Sequence, residues 1–165
     1  MPAKKPLTAK RARELFTYDP QTGILRRKIG LRKTSHADGS VGHIGSHGYL
    51  MVTADAYPYC VHRIIVLIMT GKWPNWTDHA DMNKLNNKWS NLRNATPRQN
   101  SGNQLGRKTS KSGRKGVEPH HTGKWCARIR QKGRQRHLGL FENIEDAAAA
   151  YAKAAKEVFG EFARW

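Results

Sequence analysis

The longest uninterrupted apolar stretch of this chain, Ile64 to Met69, is too short to do more than anchor a small core. A bilayer-spanning helix needs about 20 apolar residues, so this stretch excludes an ordinary transmembrane span. It lies in a nearly continuous apolar run, Val61 to Thr70, closed by Gly71. A run of about ten residues is either a buried helix or a long core strand, and the glycine favours the helix, as its C-terminal cap. A second pattern is amphipathic: Ile144, Ala147, Tyr151, Ala154, Ala155 and Val158 form one stripe at helical spacing. With 165 residues, 38% of them hydrophobic, the chain can build one modest core or two minimal ones.

Charge narrows the function. Thirty Lys and Arg face twelve Asp and Glu, a formal net charge of +18. Such a surface attracts polyanions, and nucleic acid is the expected partner, because each phosphate neutralised releases a counterion. Structural RNA-associated proteins share this charge, so charge alone does not name the activity. The basic N-terminal residues lack the apolar core of a signal peptide, which predicts a cytoplasmic protein with no membrane partner. Cys60 and Cys126 form no CxxC pair, so no zinc knuckle is encoded, and both are read as ordinary small residues.

Turn residues divide the rest. Residues 1–13 are basic and are expected to be partly disordered. Asp19-Pro20 and Thr22-Gly23 mark a turn before a strand at Ile24–Arg27. Gly39, Gly42, Gly45 and Gly48 are read as turn glycines among small antiparallel sheets, before a strand at Tyr49–Thr53. His36, His43 and His47 are read as solvated loop residues. Residues 101–113, rich in Gly, Ser and basic side chains, read as a flexible linker. Beyond it, Trp125 to Arg130 alternates, with Trp125, Ala127 and Ile129 on one face and Cys126, Arg128 and Arg130 on the other. Lys132-Gly133 predicts a hairpin into a strand over Arg134–Leu140, and Asn143 can cap a helix running to about Phe159. From Arg107 to Arg136 there are eleven Lys or Arg and one acid, Glu118, whereas the helix carries Glu142, Glu145, Asp146 and Glu157. The sheet is therefore the face expected to meet phosphate.

The stretch most informative about chemistry is Asp78-His79-Ala80-Asp81-Met82-Asn83-Lys84-Leu85-Asn86-Asn87-Lys88-Trp89-Ser90-Asn91-Leu92-Arg93, with Asn100 nine residues after Asn91. Phosphodiester hydrolysis needs a base for water, a divalent ion on the phosphate and a scaffold to fix both. Hard oxygen donors such as Asp and Asn suit Mg²⁺ or Mn²⁺. This segment resembles the HNH endonucleases, specifically the phage and intron-homing subgroup whose last motif position is Asn. The resemblance covers Val61 to Asn100. It implies a ββα fold holding one metal ion, with His79 as general base, Asp78 and Asn100 as metal ligands, and Asn91 pinning the loop and orienting His79 through its backbone. Met82 stands where that family commonly has Gly in an Asp-Gly-Asn turn. Asp81, Asn83, Asn86 and Asn87 are read as turn-forming, and His62 as a packing or hydrogen-bonding residue. Arg63 either touches phosphate or pairs with a carboxylate.

The C-terminal residues resemble the AP2 domain through Lys115-Gly116-Val117, Gly123-Lys124-Trp125, Ala127-Arg128-Ile129-Arg130, His137-Leu138-Gly139-Leu140-Phe141, Glu145-Asp146-Ala147 to Tyr151, and Gly160-Glu161-Phe162-Ala163. That family lays a three-stranded sheet, backed by one helix, in the DNA major groove. The resemblance puts Lys115, Arg128, Arg130 and His137 on the DNA-facing side. Glu118, His120 and Thr122 stand at contact positions with altered chemistry, and Arg134 and Arg136 are expected to grip the backbone.

The combined expectation is an α+β chain. Residues 1–100 form a ββα-metal HNH nuclease domain with a small β-rich N-terminal part, residues 101–113 a basic linker, and residues 114–165 an AP2-type three-stranded antiparallel sheet on one helix. Its expected function is site-directed cleavage of double-stranded DNA with one Mg²⁺ or Mn²⁺ and no zinc, by a monomer of phage or mobile-element homing type acting in the host bacterial cytoplasm. The alternative is a DNA-binding regulator whose nuclease half has decayed.

Overall fold

The computed structural model describes residues 6–28, 36, 38–104 and 110–165. It is a mixed structure of small antiparallel sheets and short helices, divided into two compact units at Ala95/Thr96.

The first unit starts with helix α1 (Ala9–Leu15), whose N-cap Thr8 accepts a hydrogen bond from the Arg11 amide at 3.2 Å. Residues 9–13, expected to be partly disordered, are therefore helical, and residues 1–5 of that segment lie outside the described residues. The basic composition hid two buried anchors, Leu7 and Ala12. Strands β1 (Phe16–Tyr18) and β2 (Leu25–Arg27) form a hairpin across the Asp19–Gly23 turn. A three-stranded sheet follows, in the order β3 (His43–Ile44), β4 (Leu50–Ala54), β5 (Tyr57–Cys60).

Helix α2 occupies Val61–Thr70 and ends at Gly71, which takes the left-handed conformation of a C-terminal cap at φ 76°. Its apolar residues fill the centre of the unit with Phe16, Leu25 and Val52. Arg13 of α1 donates to the Ile68 carbonyl near the end of α2, and the Trp73 indole donates to the Leu7 carbonyl at 2.8 Å, which ties α1 to that core. Strands β6 (Thr77–His79) and β7 (Leu92–Asn94) then pair with Asp78 opposite Arg93 and His79 opposite Leu92.

The second unit begins with helix α3 (Pro97–Asn103). Thr96 and Gln99 close its N-terminus in a reciprocal capping box, and Pro97 sits in its first turn. Residues 101–103, read from sequence as linker, are thus helical, and residues 105–109 lie outside the described residues. Gly102 looked like linker glycine, but a Cβ there would lie 2.7 Å from the Phe159 ring, so glycine permits close packing. The remainder is a sheet ordered β10 (Arg134–Phe141), β9 (Trp125–Gln131), β8 (Val117–Pro119), backed by helix α4 (Ile144–Phe159). Asn143 caps α4 through the Asp146 amide at 2.9 Å. Val117, Ala127 and Ile129 pack against Ala147, Tyr151, Ala154 and Ala155, and the small helix residues allow close approach to the sheet. Cys60 and Cys126 are free thiols. Among the described residues no helix is long and apolar enough to cross a membrane.

Both tight hairpins use left-handed pairs: Lys132 and Gly133 at φ 50° and 79°, and Asp55 and Ala56 at φ 46° and 68°. Such turns match strand twist, but a Cβ in the left-handed region costs about 1–2 kcal/mol. Ala56→Gly is accordingly expected to stabilise the protein by about 1 kcal/mol. Urea denaturation checks this, and an unchanged or lowered midpoint would refute the strain assigned to that turn.

Candidate functional site

The register of β6 and β7 determines what meets at the polar hairpin. Because Asp78 pairs with Arg93, their side chains share one face, and Arg93 grips Asp78 Oδ2 through Nε and Nη2, each at 2.9 Å. The carboxylate is buried, so this pairing holds it in a fixed orientation inside the unit. His79 projects to the opposite face and is also buried.

The connection between the strands is built almost wholly from side-chain amides and carboxylates bonded to nearby backbone. Asp81 Oδ1 accepts from the Asn83 amide at 2.8 Å, and Asn83 Oδ1 accepts from the Leu85 amide at 3.1 Å. These are the Asx turns expected of such residues. Asn91 binds the loop together: its Oδ1 accepts from the Asp81 amide at 3.0 Å, and its Nδ2 donates to Asp81 Oδ1 at 2.9 Å and to the Asn86 carbonyl at 2.7 Å. Its own carbonyl accepts from the Ala80 amide at 2.9 Å, next to His79. Met82, at the position where glycine is common in the resembling family, adopts φ 65°. The turn geometry is kept there with a Cβ in the left-handed region.

Asn87 does more than shape a turn. Its Oδ1 lies 3.1 Å from His79 Nε2. An amide oxygen only accepts, so Nε2 carries the hydrogen and Nδ1 is left as the basic nitrogen. Asn87 is itself backed by the first hairpin: Tyr18 Oη donates to its carbonyl at 2.8 Å, and the Trp89 amide donates to the Pro20 carbonyl at 3.1 Å. Gly23, at φ 78°, lies so close that a Cβ would stand 2.5 Å from the Lys88 amide nitrogen and 2.7 Å from the Asn87 carbonyl carbon.

On its other side the His79 ring meets His62 of α2 edge-on, with centroids 5.1 Å apart, and Tyr49 at 6.0 Å. Burial pushes the His62 pKa down to about 3, helped by the nearby His79 and Arg63, and its Nδ1 has no hydrogen-bond partner among the described residues. Burial also lowers the His79 pKa, opposed by the Asn87 hydrogen bond and by Asp81 and Asp78. His79 is therefore neutral near neutral pH and able to accept a proton. Arg63 donates to the Pro74 carbonyl at 3.0 Å and lies over the Trp73 ring, so its protein partner is a main-chain oxygen and not a carboxylate.

In the second unit, strand register sorts the basic residues. His137 pairs with Arg128 and Gln135 with Arg130, placing Arg128, Arg130 and His137 on the sheet face away from α4. Arg136 pairs with core residue Ile129, and its guanidinium reaches Glu157 of α4 at 3.8 Å. Arg134 shares that parity, so Arg134 and Arg136 belong to the helix side, not to the face that carries Arg128. Leu138 shares that parity and packs on the core, and a bulge between His137 and Gly139 then puts Phe141 on the core side and leaves Leu140 exposed. On the outer face Arg128 is ion-paired with Glu118, and Arg130 donates to the Gly133 carbonyl at 3.3 Å. Lys115, expected on the DNA-facing side, is half-buried, and its ammonium donates to the carbonyls of Ser101 (3.3 Å), Gly102 (2.7 Å) and Gln104. Burial lowers its pKa to about 8. Asn100 lies in this unit on α3, half-buried, its amide bonded to the Thr96 carbonyl at 3.0 Å.

Residues 59–101 match the HNH endonuclease family, a span that contains α2, the whole polar hairpin and Asn100. An uncharacterized HNH endonuclease of Acanthamoeba polyphaga mimivirus is 40% identical over 124 residues, covering 73% of this chain and 64% of that relative. Protein 3.8 of Escherichia phage T7 is 33% identical over 91 residues, covering 54% of this chain and 74% of the phage protein. The chain carries an HNH endonuclease segment, and it spans 64% of the length of the mimivirus relative. A third similarity, to Dehydration-responsive element-binding protein 2A of Arabidopsis thaliana, is 39% over 61 residues and covers 36% of this chain and 18% of the plant protein. No solved structure matches.

HNH endonucleases are DNA-cleaving hydrolases and generally depend on a divalent metal ion. The donors available for one here are oxygen-rich. Among the described residues no three His, Cys, Asp or Glu side chains are grouped so as to hold a metal ion. A single carboxylate beside a phosphodiester is, however, a fitting anchor for a hard ion that keeps most of its waters. Three residues near His79 lay outside the sequence-based site: Asn87, Tyr49 and Arg93. Asn87 was hidden among chemically identical turn residues. Arg93 had a signal, since a hairpin from Asp78 to Arg93 would pair them.

The two histidines make a prediction about pH. Both have folded pKa values below 6.5, so below that pH the unfolded chain takes up protons that the folded chain refuses. Stability contributed by their neutral burial is full above about pH 6.5 and falls as pH drops toward 3. For His62 alone the loss at pH 5 is about 2 kcal/mol. Urea unfolding of wild type and His62→Gln at pH 7 and pH 5, with chelator present, checks it. Equal pH dependence in the two proteins would refute the assignment.

Proposed function

We propose that this chain is a site-directed endonuclease that hydrolyses one or both strands of duplex DNA. In this reading His79 is the general base, and the sheet of the second unit is an AP2-like targeting surface. The carrying observation is the buried His79 whose Nε2 is held by Asn87, beside a buried Asp78 held by Arg93, inside the segment that matches the HNH family. That arrangement supplies a neutral imidazole of defined tautomer next to an oriented carboxylate, which is what activation of water near a bound phosphate requires.

His79 Nδ1 removes a proton from water, and the oxygen attacks phosphorus. The 3′ oxygen departs, leaving 5′-phosphate and 3′-hydroxyl ends. Asn87 Oδ1 keeps the hydrogen on Nε2 and stabilises the imidazolium that forms. Asn91 holds Asp81 and Asn86 so that the loop bearing Asn87 keeps its shape. Asp78 and, by resemblance, Asn100 would hold one Mg²⁺ or Mn²⁺, which when bound would supply charge to steady the phosphate and the leaving oxygen. The viral and phage sources of the relatives support a phage or mobile-element origin, and homing is the role proposed for it.

In a plasmid-nicking assay, wild type is expected to cleave with Mg²⁺ or Mn²⁺ and to stop with EDTA. His79→Ala should lose at least about a hundredfold in rate while still binding DNA. Cleavage that survives His79→Ala would refute the assigned base.

Targeting gives a separate prediction. Arg128→Ala and Arg130→Ala should each cost about 1–3 kcal/mol and alter sequence preference. Arg134→Ala and Arg136→Ala, on the helix side, should weaken binding evenly across sequences or not at all. Footprints unchanged by the first pair would overturn the assignment of the outer sheet face.

A further inference from the structure

Helix α3 is seven residues long, below the length at which a helix holds itself together in water. It must be secured from outside the helix, and the securing contacts come from the rest of the second unit. Gly102 lets the Phe159 ring approach, Arg164 Nε donates to Asn103 Oδ1 at 3.2 Å, and the Arg164 amide donates to the Gly102 carbonyl at 3.2 Å. The strongest tie is Lys115. An ammonium has three N–H donors, and here three α3-end carbonyls, those of Ser101, Gly102 and Gln104, receive them. A half-buried cation at a helix C-terminus also meets the negative end of the helix dipole. One side chain thus satisfies the carbonyls that a short helix leaves open.

We propose that Lys115 is a positioning residue for Asn100. Its ammonium clasps the C-terminus of α3 and so fixes the helix that carries this ligand. The inference rests on the reading of Asn100 as a ligand to the divalent ion. It removes Lys115 from the DNA-contacting set and gives the AP2-like unit a second task besides reading DNA, that of ordering the last residue of the nuclease motif.

The test uses the full chain, with Lys115→Met, Lys115→Arg and Asn100→Ala. In hydrogen exchange of metal-free protein, Lys115→Met should speed exchange of the α3 amides from Asn100 onward, while the α4 amides stay protected. Mn²⁺ affinity, read by electron paramagnetic resonance, should fall by about tenfold, the lower end of what loss of an outer support to a metal ligand costs. Lys115→Arg should restore most of both, and DNA affinity with its salt dependence should be unchanged. If Lys115→Met does not fold, Lys115→Gln, which keeps two N–H donors, carries the same readouts.

Unchanged α3 exchange and Mn²⁺ affinity in Lys115→Met would overturn the proposal. So would a reduced salt dependence of DNA binding, which would return Lys115 to the phosphate-contacting face. If Asn100→Ala leaves Mn²⁺ affinity intact, the ligand assignment fails and the clasp loses its purpose. If Asn100→Ala weakens Mn²⁺ binding and Lys115→Met does not, only the clasp is lost.

Discussion

The hydrogen bond between Asn87 and His79 is the contact on which the rest of the first unit converges. An imidazole buried in a small domain is costly to charge and free to choose either tautomer, unless a partner decides for it. Asn87 makes that choice. Its own position is set by backbone contacts from the first hairpin, by the Asn91 lattice within the loop and by the loop's Asx turns. The core built from α2 is the platform: it puts His62 edge-on against His79. Each layer is weak by itself. A loop of exposed Asx turns would flex, and a two-stranded hairpin of three-residue strands would fray. Joined, they hold one nitrogen at one orientation.

Much of this architecture was legible in the sequence where local chemistry is unambiguous. Gly71 after an apolar run, Asn143 before an alanine-rich stripe and Lys132-Gly133 between alternating segments each specify a conformation that few residues tolerate, and the structure uses each accordingly. The Asp78-His79 pair and Asn91 were singled out for a different reason: their types and spacing match a chemistry. Asn87 was not singled out, because three neighbouring residues, Asp81, Asn83 and Asn86, share its ability to make turns and only the folded structure reveals which one reaches His79. The helical residues 9–13 were missed because charge on the exposed side masked Leu7 and Ala12.

The assignments on the C-terminal sheet separate into what counting could have settled and what it could not. A two-residue turn at Lys132-Gly133 dictates that Gln131 faces Arg134, so Arg136 falls opposite Ile129 and on the core side. That parity was available from sequence and divides the arginines into two groups. The bulge at Leu138 was not, since an extra residue in a strand leaves no fixed signature. Nor was Lys115, whose long side chain reads as a solvated charge until three carbonyls are seen around it. Basic residues are ambiguous for this reason: Arg114, Lys124, Arg128 and Arg136 are all paired with acids of the same unit. These pairs are solvent-exposed and individually weak, so a phosphate backbone can displace them at little cost. Part of the chain's +18 is thus engaged in pairs within the folded protein, and the proposed binding of DNA would draw on the whole of it.

Gly23 shows how the nuclease segment depends on residues outside the matched span. The family match begins at residue 59, yet the backbone of Gly23 touches that of Asn87 and Lys88 so closely that no side chain fits between them. Its φ of 78° is a second and independent reason for glycine. Two constraints on one residue, both satisfied by the turn that Asp19 starts, mean that the first hairpin is a wall of the site and not an appendage to it. A small domain with a thin core has few ways to stiffen a polar loop, and direct backbone-to-backbone contact uses the least apolar surface. This chain adopts that solution at the one loop whose geometry determines which nitrogen of His79 is basic.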